Sequence, residues 1–309
     1  MNEIIKKVIS LLNKVEGFEG IAVNDCKIKR LGGMTNLVHL VETKEINLIV
    51  RIAGKGTEEY INREIEFKNA SAAWRAGVSA EIIWVDVKDG VMISKAINEI
   101  ETMTPNLFGL RKGSPARAGL ALAKLHNSGE VFDFRFELFN MINDYLKILS
   151  TKNVDLPEGY HDIVKAAEPV KELLEANPIP LTPCHCDPLC ENFLDDGKNM
   201  WIVDWEYSGM NDPLWDLGDL SVEAGMNEDQ ENEMLKAYFG KAPTQAQKGR
   251  VIIYKAMCDL LWTLWGLIQY ADKNPAEDFW TYSTERFERC KALMYSSDFV
   301  KHIDAIKNN

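Results

Sequence analysis

The spacing of hydrophobic residues changes in character near residue 97 of the chain. Before it, short β-rich runs alternate with polar turn residues, and Val38–Val41 and Leu48–Ile52 are predicted strands. Residues 81–97 are predicted to form two short strands joined by a turn at Asp89-Gly90. The N-terminal part therefore alternates at the strand period, not at the helix period.

Two helices are predicted in this strand-rich part, one before the strands and one among them. Residues 1–16 carry Ile and Leu at helical spacing among Lys and Glu, without the apolar core and cleavage site of a signal peptide. A second helix is predicted from Thr57, a suitable N-cap, to about Ala76, where Gly77 supplies a stop. The predicted order after the first helix is strand–strand–strand–helix–strand–strand.

From residue 98 onward helical spacing dominates, so we predict an α+β chain with lobes at 1–97 and 98–309. Three prolines in 177–183 interrupt the helices, and Asp195-Asp196-Gly197 predicts a hairpin turn. The predicted helices are 114–126, 136–149, 159–176, 214–224, 228–239, 245–271 and 275–295.

Composition narrows the possible functions. The chain has 309 residues, 46% of them hydrophobic, and a net charge of −12. An acidic chain without a basic run is a poor ligand for nucleic acid or an anionic membrane, and its interrupted apolar stretches predict no membrane span. Six cysteines without a compact framework predict a reducing, cytoplasmic location. The cluster around Cys184 lacks the second ligand pair of a structural zinc site.

The run from His185 to Asn192 carries the candidate chemistry. It has the spacing His-x-Asp-x-x-x-x-Asn, and Asp204 follows one hairpin later. In phosphoryl transfer, the first Asp accepts the proton of the substrate hydroxyl, while the Asn and the second Asp hold Mg²⁺. Asp187 is then the base, and Asn192 and Asp204 are the metal ligands. Turn hydrogen bonds could explain Asp187 and Asn192 alone, but the pairing with Asp204 favours a kinase site.

Several neighbours are assigned supporting roles. His185 is predicted to buttress the loop, and Asp216 to cap its helix and hold the catalytic loop. Arg51, at a strand end, is placed to contact phosphates with a bidentate grip. Its partner is predicted to be Glu66, with Glu64 as the alternative. The glycine-rich turn 31–36 could bring backbone N–H groups to phosphates, although such turns are common in hairpins.

These residues resemble the choline/ethanolamine kinase family, and most closely its bacterial LicA-type choline kinases. The resemblance covers about residues 28–290 and is most specific in Ile202–Leu217, read as IVDWEYSGMNDPLWDL. It extends to Leu31–Asn36, Gly54–Thr57 with Ile61-Asn62-Arg63, and Leu261–Gly266.

The resemblance implies a two-lobe, protein-kinase-like fold that uses ATP and Mg²⁺ to phosphorylate the hydroxyl of choline. It implies that Ser94–Ile97 is the hinge that meets adenine. The implied nucleotide residues are Arg51, Glu66, Gly33, Thr35, Asn36, Lys95 and Ile97. The implied choline-pocket residues are Tyr207, Glu223, Trp262 and Trp265.

Choline carries a trimethylammonium group, which donates no N–H hydrogen bond but is attracted to aromatic faces. Trp262 and Trp265 are three residues apart and so share one helix face. A Trp stripe usually lies in a core; the resemblance favours the pocket. Tyr282 is the candidate for a further pocket tyrosine.

Other functions remain open on the sequence alone. An ethanolamine, aminoglycoside or thiamine kinase would share the same phosphoryl-transfer residues. An aminoglycoside site would need more carboxylates, whereas the tryptophan pair favours one bulky cation. A pseudokinase that only binds ligands would need damage at Asp187, Asn192 or Asp204, and all three are present.

Overall fold

A computed structural model describes residues 3–32, 36–54 and 61–308. The N-terminal part is a five-stranded antiparallel sheet with two helices, in the predicted order. Its elements are α1 (Glu3–Leu12), β1 (Lys27–Arg30), β2 (Leu37–Glu42), β3 (Asn47–Ile52), α2 (Arg63–Arg75), β4 (Ile82–Asp86) and β5 (Val91–Lys95).

The sheet has the strand order β1-β2-β3-β5-β4. Arg51 on β3 lies opposite Val38 on β2 and Met92 on β5, so the central strand presents it between two neighbours. Apolar residues of the sheet pack with α1 in a small core that includes Val8 and Val50, both fully buried. Burying this face is what holds the sheet together.

Helix α2 begins later than predicted. Thr57 lies outside the described residues, and the helix starts at Arg63. Asn62 is its N-cap, because the Asn62 side chain accepts hydrogen bonds from the next two free N–H groups, those of Glu64 and Ile65. Gly77 ends the helix as predicted, with φ of +73°.

The larger part is mainly helical, with one two-stranded and one three-stranded sheet between the helices. Its elements are β6 (Glu101–Thr102), α3 (Pro105–Leu110), α4 (Ser114–His126), α5 (Leu138–Ser150), α6 (Tyr160–Ala166), α7 (Glu168–Ala176), β7 (Thr182–Cys184), β8 (Phe193–Asp195), β9 (Met200–Ile202), β10 (Gly209–Asn211), α8 (Leu214–Glu223), α9 (Glu228–Phe239), α10 (Gln245–Ala271), α11 (Phe279–Met294) and α12 (Phe299–Lys307). The two-stranded sheet has the strand order β10-β7, and the three-stranded sheet has the order β6-β8-β9.

Two predicted helices of this part differ from the structure, and two observed helices were not predicted. The span 159–176 is two helices, because Pro169 in the first turn of α7 has no N–H to continue the preceding helix. The span 275–295 becomes α11, which starts at Phe279 after the N-cap Asp278. Helices α3 and α12 were not predicted; both are short.

Helix α10 is the centre of the larger core and packs against α5, α8, α11 and α12. Within the described residues it is the one helix long and apolar enough to cross a membrane, but 83% of its apolar window is buried inside the protein. Core helices pass the same test, so the feature is weak evidence for a span. A capping box between Thr244 and Gln247 fixes its start.

The strand pair β8–β9 is the predicted hairpin, closed at Asp195–Gly197. It brings the end of β9, and with it Asp204, beside the loop that follows β7. Helix α2 also contacts this part, since Ala70, Ala73 and Val78 belong to the larger core. The candidate site lies where these segments meet.

Candidate functional site

Asp216 on α8 fixes the loop that carries Asp187. Its carboxylate accepts the backbone N–H of His185 at 2.7 Å and that of Cys186 at 2.8 Å. Cys186 has φ of +68°, a conformation that costs a non-glycine residue about 1 kcal/mol. Asp216 therefore holds the loop, as predicted. It does not cap α8, whose N-cap position is Pro213.

His185 joins this loop to the segment after β9. Its Nε2 donates to the carbonyl oxygen of Val203 at 2.9 Å, and its ring lies 4.9 Å from the ring of Trp205. Burial lowers the pKa of His185, so the ring is neutral near pH 7. This contact is the predicted buttress, and it sets the position of Asp187 relative to Asp204.

Asp187 is partly buried at the centre of the site. Burial raises the pKa of its carboxyl to about 7; the charge of Glu223 adds to the rise and Arg286 opposes it. A carboxylate with this pKa is poised to accept a proton near neutral pH.

Asn192 and Asp204 present oxygen ligands beside Asp187. The amide of Asn192 donates through Nδ2 to the Asp187 carbonyl oxygen at 3.1 Å, which leaves its Oδ1 for a ligand. The Asp204 side chain is 36% exposed, yet its Oδ1 is buried without a hydrogen-bond partner among the described residues. Burial and then the charge of Glu206 raise the pKa of Asp204. Arg51 Nη1 lies 3.7 Å from Asp204 Oδ1, in ion-pair range but beyond a hydrogen bond. One amide oxygen and one carboxylate oxygen without a hydrogen bond are a donor set that fits Mg²⁺.

Arg51 is held by carboxylates on both sides. Its Nη1 lies 2.5 Å from Glu66 Oε1 and 3.0 Å from Glu206 Oε1. Although burial alone would lower the pKa of Arg51, the charges of Glu66 and its acidic neighbours raise it. Glu66 is thus the partner, as preferred over Glu64, which is 65% exposed and pairs with Lys68.

Glu206 is a site residue that we did not assign from the sequence. Its Oε1 accepts from Arg51, from Arg63 Nη1 at 2.7 Å and from Asn36 Nδ2 at 2.7 Å. Its position two residues after Asp204 is the only sequence signal for it. Of the predicted phosphate-turn residues, Asn36 thus reaches this network; Gly33 and Thr35 lie outside the described residues.

Two backbone N–H groups of the predicted hinge already donate hydrogen bonds within the N-terminal part. The N–H of Lys95 donates to the Glu81 carbonyl at 2.9 Å, and the next N–H, of Ala96, donates to Asn47 at 2.8 Å. Neither N–H is available to adenine, whereas the Ile97 N–H has no backbone partner among the described residues. Lys95 and Ile97 also line a cavity of about 350 Å³ together with Trp201.

The predicted aromatic residues of the acceptor pocket come together. The rings of Tyr207 and Trp262 are 5.6 Å apart, and Trp265 Nε1 donates to the Tyr207 hydroxyl at 3.0 Å. Trp262 is only 4% exposed, while Trp265 is partly exposed. Trp262 therefore belongs to the core and to this aromatic cluster at once.

Tyr282 extends the aromatic cluster from α11. Its ring centroid lies 5.9 Å from that of Trp265. Gly266 permits this approach, since a Cβ at that position would lie 2.3 Å from Ser283 Oγ and 2.6 Å from Tyr282 Cδ1. The tyrosine considered as a further pocket residue is therefore in contact with the predicted ones.

Glu223 lies in an ion pair that the sequence did not predict. Its Oε1 is 2.6 Å from Arg286 Nη1, and the same guanidinium lies 4.3 Å from the Tyr282 ring centroid. Asp219, also unassigned, is fully buried and accepts the indole N–H of Trp262 at 3.1 Å. A lone Asp in a helix and an Arg in another carry no motif that could have identified them.

Comparisons with known proteins agree with this geometry. A sequence model of the choline/ethanolamine kinase family matches residues 28–291. The chain is 27% identical to protein LicA of Haemophilus influenzae over 286 residues, 90% of this chain and 83% of LicA. It is 23% identical to ethanolamine kinase 1 of Mus musculus over 300 residues, 83% of this chain and 80% of the relative.

The solved structures similar to this chain include proteins named for the same family. A choline/ethanolamine kinase family protein from Mesorhizobium loti is 54% identical, with a TM-score of 0.89 over 98% of this chain and 99% of that one. Choline kinase LicA from Streptococcus pneumoniae is 26% identical, with a TM-score of 0.78 over 95% and 99%. A LicA complex with AMP has a TM-score of 0.73 at 26% identity, over 99% of both chains. These likenesses confirm the predicted two-lobe, kinase-like fold.

Proposed function

The chain belongs to the choline/ethanolamine kinase family, and we propose that it transfers the γ-phosphate of ATP to the hydroxyl of choline. The observation that carries the proposal is the aromatic cluster of Tyr207, Trp262 and Trp265. Trp262 donates to Asp219, and the charge of Asp187 acts on the Asp219 carboxyl. Aromatic faces attract a quaternary ammonium, by about 0.5–2 kcal/mol each. The product would be phosphocholine.

Asp187 is the proposed base. It orients the acceptor hydroxyl and takes its proton as the oxygen bonds to the γ-phosphorus, while the bond from that phosphorus to the bridging oxygen breaks and ADP leaves. Asp216 and His185 hold the loop so that the carboxylate keeps its place. Orientation contributes more than basicity in this reaction, because the transition state is loose.

Asn192 and Asp204 are the proposed ligands of Mg²⁺, with Glu206 next to them. Bound there, Mg²⁺ would neutralise charge on the phosphates of ATP. Arg51, oriented by Glu66, is the proposed phosphate contact, and Asn36 lies within its network. Ile97 is the proposed hinge contact to adenine, and we also place the protein in the cytoplasm as a prediction.

A second candidate acceptor is ethanolamine. Relatives of this chain include proteins named as ethanolamine kinases. The carboxylates of Asp219 and Glu223 beside the aromatic cluster would suit the N–H donors of a primary ammonium. Choline would be bound mainly by the aromatic faces, and ethanolamine mainly by the carboxylates.

The test is ADP release from Mg-ATP with choline, ethanolamine, thiamine and kanamycin as separate acceptors. We expect saturable turnover with choline and weaker turnover with ethanolamine. Preference for ethanolamine would keep the kinase residues and overturn the choline assignment. Silence with all four acceptors would contradict the proposed function and revive a pseudokinase.

A further inference from the structure

Asp219 is a buried carboxylate with an incomplete set of partners. It lies on α8 one turn before Glu223, and its side chain is fully buried. Its Oδ2 accepts the indole N–H of Trp262 at 3.1 Å, but its Oδ1 has no hydrogen-bond partner among the described residues. Nor does any described Lys, Arg or His nitrogen lie within 4.0 Å of it.

Glu223 Oε1 also has no hydrogen-bond partner among the described residues, but Glu223 differs from Asp219 because it has an ion-pair partner. Its two oxygens lie 2.6 and 2.9 Å from the guanidinium nitrogens of Arg286. Asp259, the other acidic neighbour of Arg286, has its own cation in Arg289 at 2.5 Å. Glu223 and Asp259 therefore have ion-pair partners among the described residues. Asp219 has none within 4.0 Å, and the charge of Arg286 offsets its burial only in part.

An uncompensated buried carboxylate is costly, by several kcal/mol in general. Burial raises the pKa of Asp219 well above its ordinary value, and the charges of Glu223 and Asp187 add to the rise. A cation placed against Oδ1 would remove this cost. The rings of Trp262 and Tyr207 next to Asp219 would suit an alkylammonium better than a hydrated metal ion.

We propose that Asp219 is the counter-ion of the acceptor's ammonium group, whereas Glu223 is a positioning residue held in its ion pair with Arg286. The inference rests on the proposed function and names the residue that selects a cationic acceptor. Quaternary ammonium is attracted to Asp219 by charge alone. An ammonium that carries N–H groups also donates to Oδ1.

The experiment compares choline with 3,3-dimethylbutan-1-ol, which has the same shape without the charge. The readout is the ratio of kcat/KM for the two alcohols, measured by ADP formation. We expect Asp219→Asn to lower this ratio at least about tenfold, which corresponds to 1.4 kcal/mol. The KM for ATP and the rate with the neutral alcohol should stay within about twofold, because Asn still accepts the Trp262 N–H.

Two further variants complete the comparison. Glu223→Gln should lower the ratio less than Asp219→Asn does, because Arg286 already compensates the charge of Glu223. Glu285→Gln changes an exposed carboxylate next to Arg286 in the chain and should leave the ratio unchanged. If Asp219→Asn unfolds at assay temperature, Asp219→Ser replaces it in the same comparison.

An unchanged ratio in Asp219→Asn, or a larger loss in Glu223→Gln, would overturn the proposal. So would a wild-type protein that uses both alcohols equally well. These failures differ from failure of the proposed function, in which the wild-type protein phosphorylates no amino alcohol at all.

Discussion

Asp204 and Asp219 each have a carboxylate oxygen without a hydrogen-bond partner among the described residues, but their surroundings differ. Asp204 is 36% exposed and belongs to the polar network of Arg51 and Glu206. Asp219 is fully buried against the indole of Trp262. The first environment suits a hard, hydrated cation; the second suits an organic one.

The comparison indicates how one acidic site could bind two different cations, a hydrated metal ion near Asp204 and an organic ammonium near Asp219. Around Asp204 the other polar groups are hydrogen-bonded to one another, since Glu206 accepts from Arg51, Arg63 and Asn36. Around Asp219 no described cation lies within ion-pair distance, and Arg286, whose charge also acts on Asp219, is paired with Glu223. The charge of Asp187 acts on the carboxyls of both Asp204 and Asp219, so the proposed base is near both of them.

Asp187→Asn should have the largest effect, because both the metal side around Asp204 and the acceptor side around Asp219 serve the reaction at this proposed base. We expect kcat to fall by about 10²–10⁴, the range for loss of a general base. The KM for ATP should change little, since among the described residues no hydrogen bond or ion pair joins the Asp187 side chain to Arg51 or Glu206. Steady-state kinetics with Mg-ATP and choline measure both. A loss of less than tenfold in kcat would remove Asp187 as the base.

Asp204→Asn tests the metal side. We expect a loss in kcat of at least about a hundredfold, because a metal ligand is lost. Without Mg²⁺, the variant should unfold about 2 °C above wild type, since the substitution relieves repulsion from Glu206 and Glu66.

The same substitution at Asp196 is the control, because there the carboxylate accepts two backbone N–H groups and the Trp201 indole N–H. Asp196→Asn should lower the unfolding temperature and leave activity intact. Mg²⁺-dependent stabilisation by ATP that persists in Asp204→Asn would contradict the assignment of Asp204.

Trp262→Leu and Trp265→Leu test the acceptor side. Loss of one aromatic face should raise the KM for choline roughly 2- to 30-fold, with a smaller change for 3,3-dimethylbutan-1-ol. Trp280→Leu, on the neighbouring helix and 37% exposed, is the matched control and should change neither value. Equal changes for choline and the neutral alcohol would mean that the tryptophans only pack the core.

Glu223→Gln should give the smallest effect, a shift in pH dependence. The pKa of Asp187 is about 7 partly because of Glu223, and Arg286 opposes the rise. Asp187 accepts a proton only when ionised, so kcat/KM should rise with pH up to about 7. Removing Glu223 lowers this pKa, so the midpoint should move to lower pH. A midpoint that stays or moves to higher pH would contradict the coupling.

Predictions from the sequence agree best with the structure where local sequence signals and tertiary packing favour the same element. Helix α10 has its predicted bounds because Thr244 caps it and its apolar residues continue without a break to Ala271. Asp187, Asn192 and Asp204 were found because their spacing is set by one loop and one hairpin. The split at Pro169 was missed because a proline in a first helical turn leaves the helical pattern intact on both sides.

Long-range pairings could not be predicted. Asp219 and Trp262 are 43 positions apart, and Glu223 and Arg286 are 63 apart. No local rule identifies such partners, because only tertiary packing brings them together. Glu206 was missed for the same reason, since the side chains that it accepts from lie on α2, on β3 and just before β2.

The most direct measurement is ³¹P NMR of the products formed from Mg-ATP and choline. We predict one phosphomonoester signal, coupled to the methylene protons of choline, that grows in equal amount with ADP and disappears in Asp187→Asn. Orthophosphate in its place, or ADP without a new ester, would contradict the central claim that this site transfers a phosphoryl group to an amino alcohol.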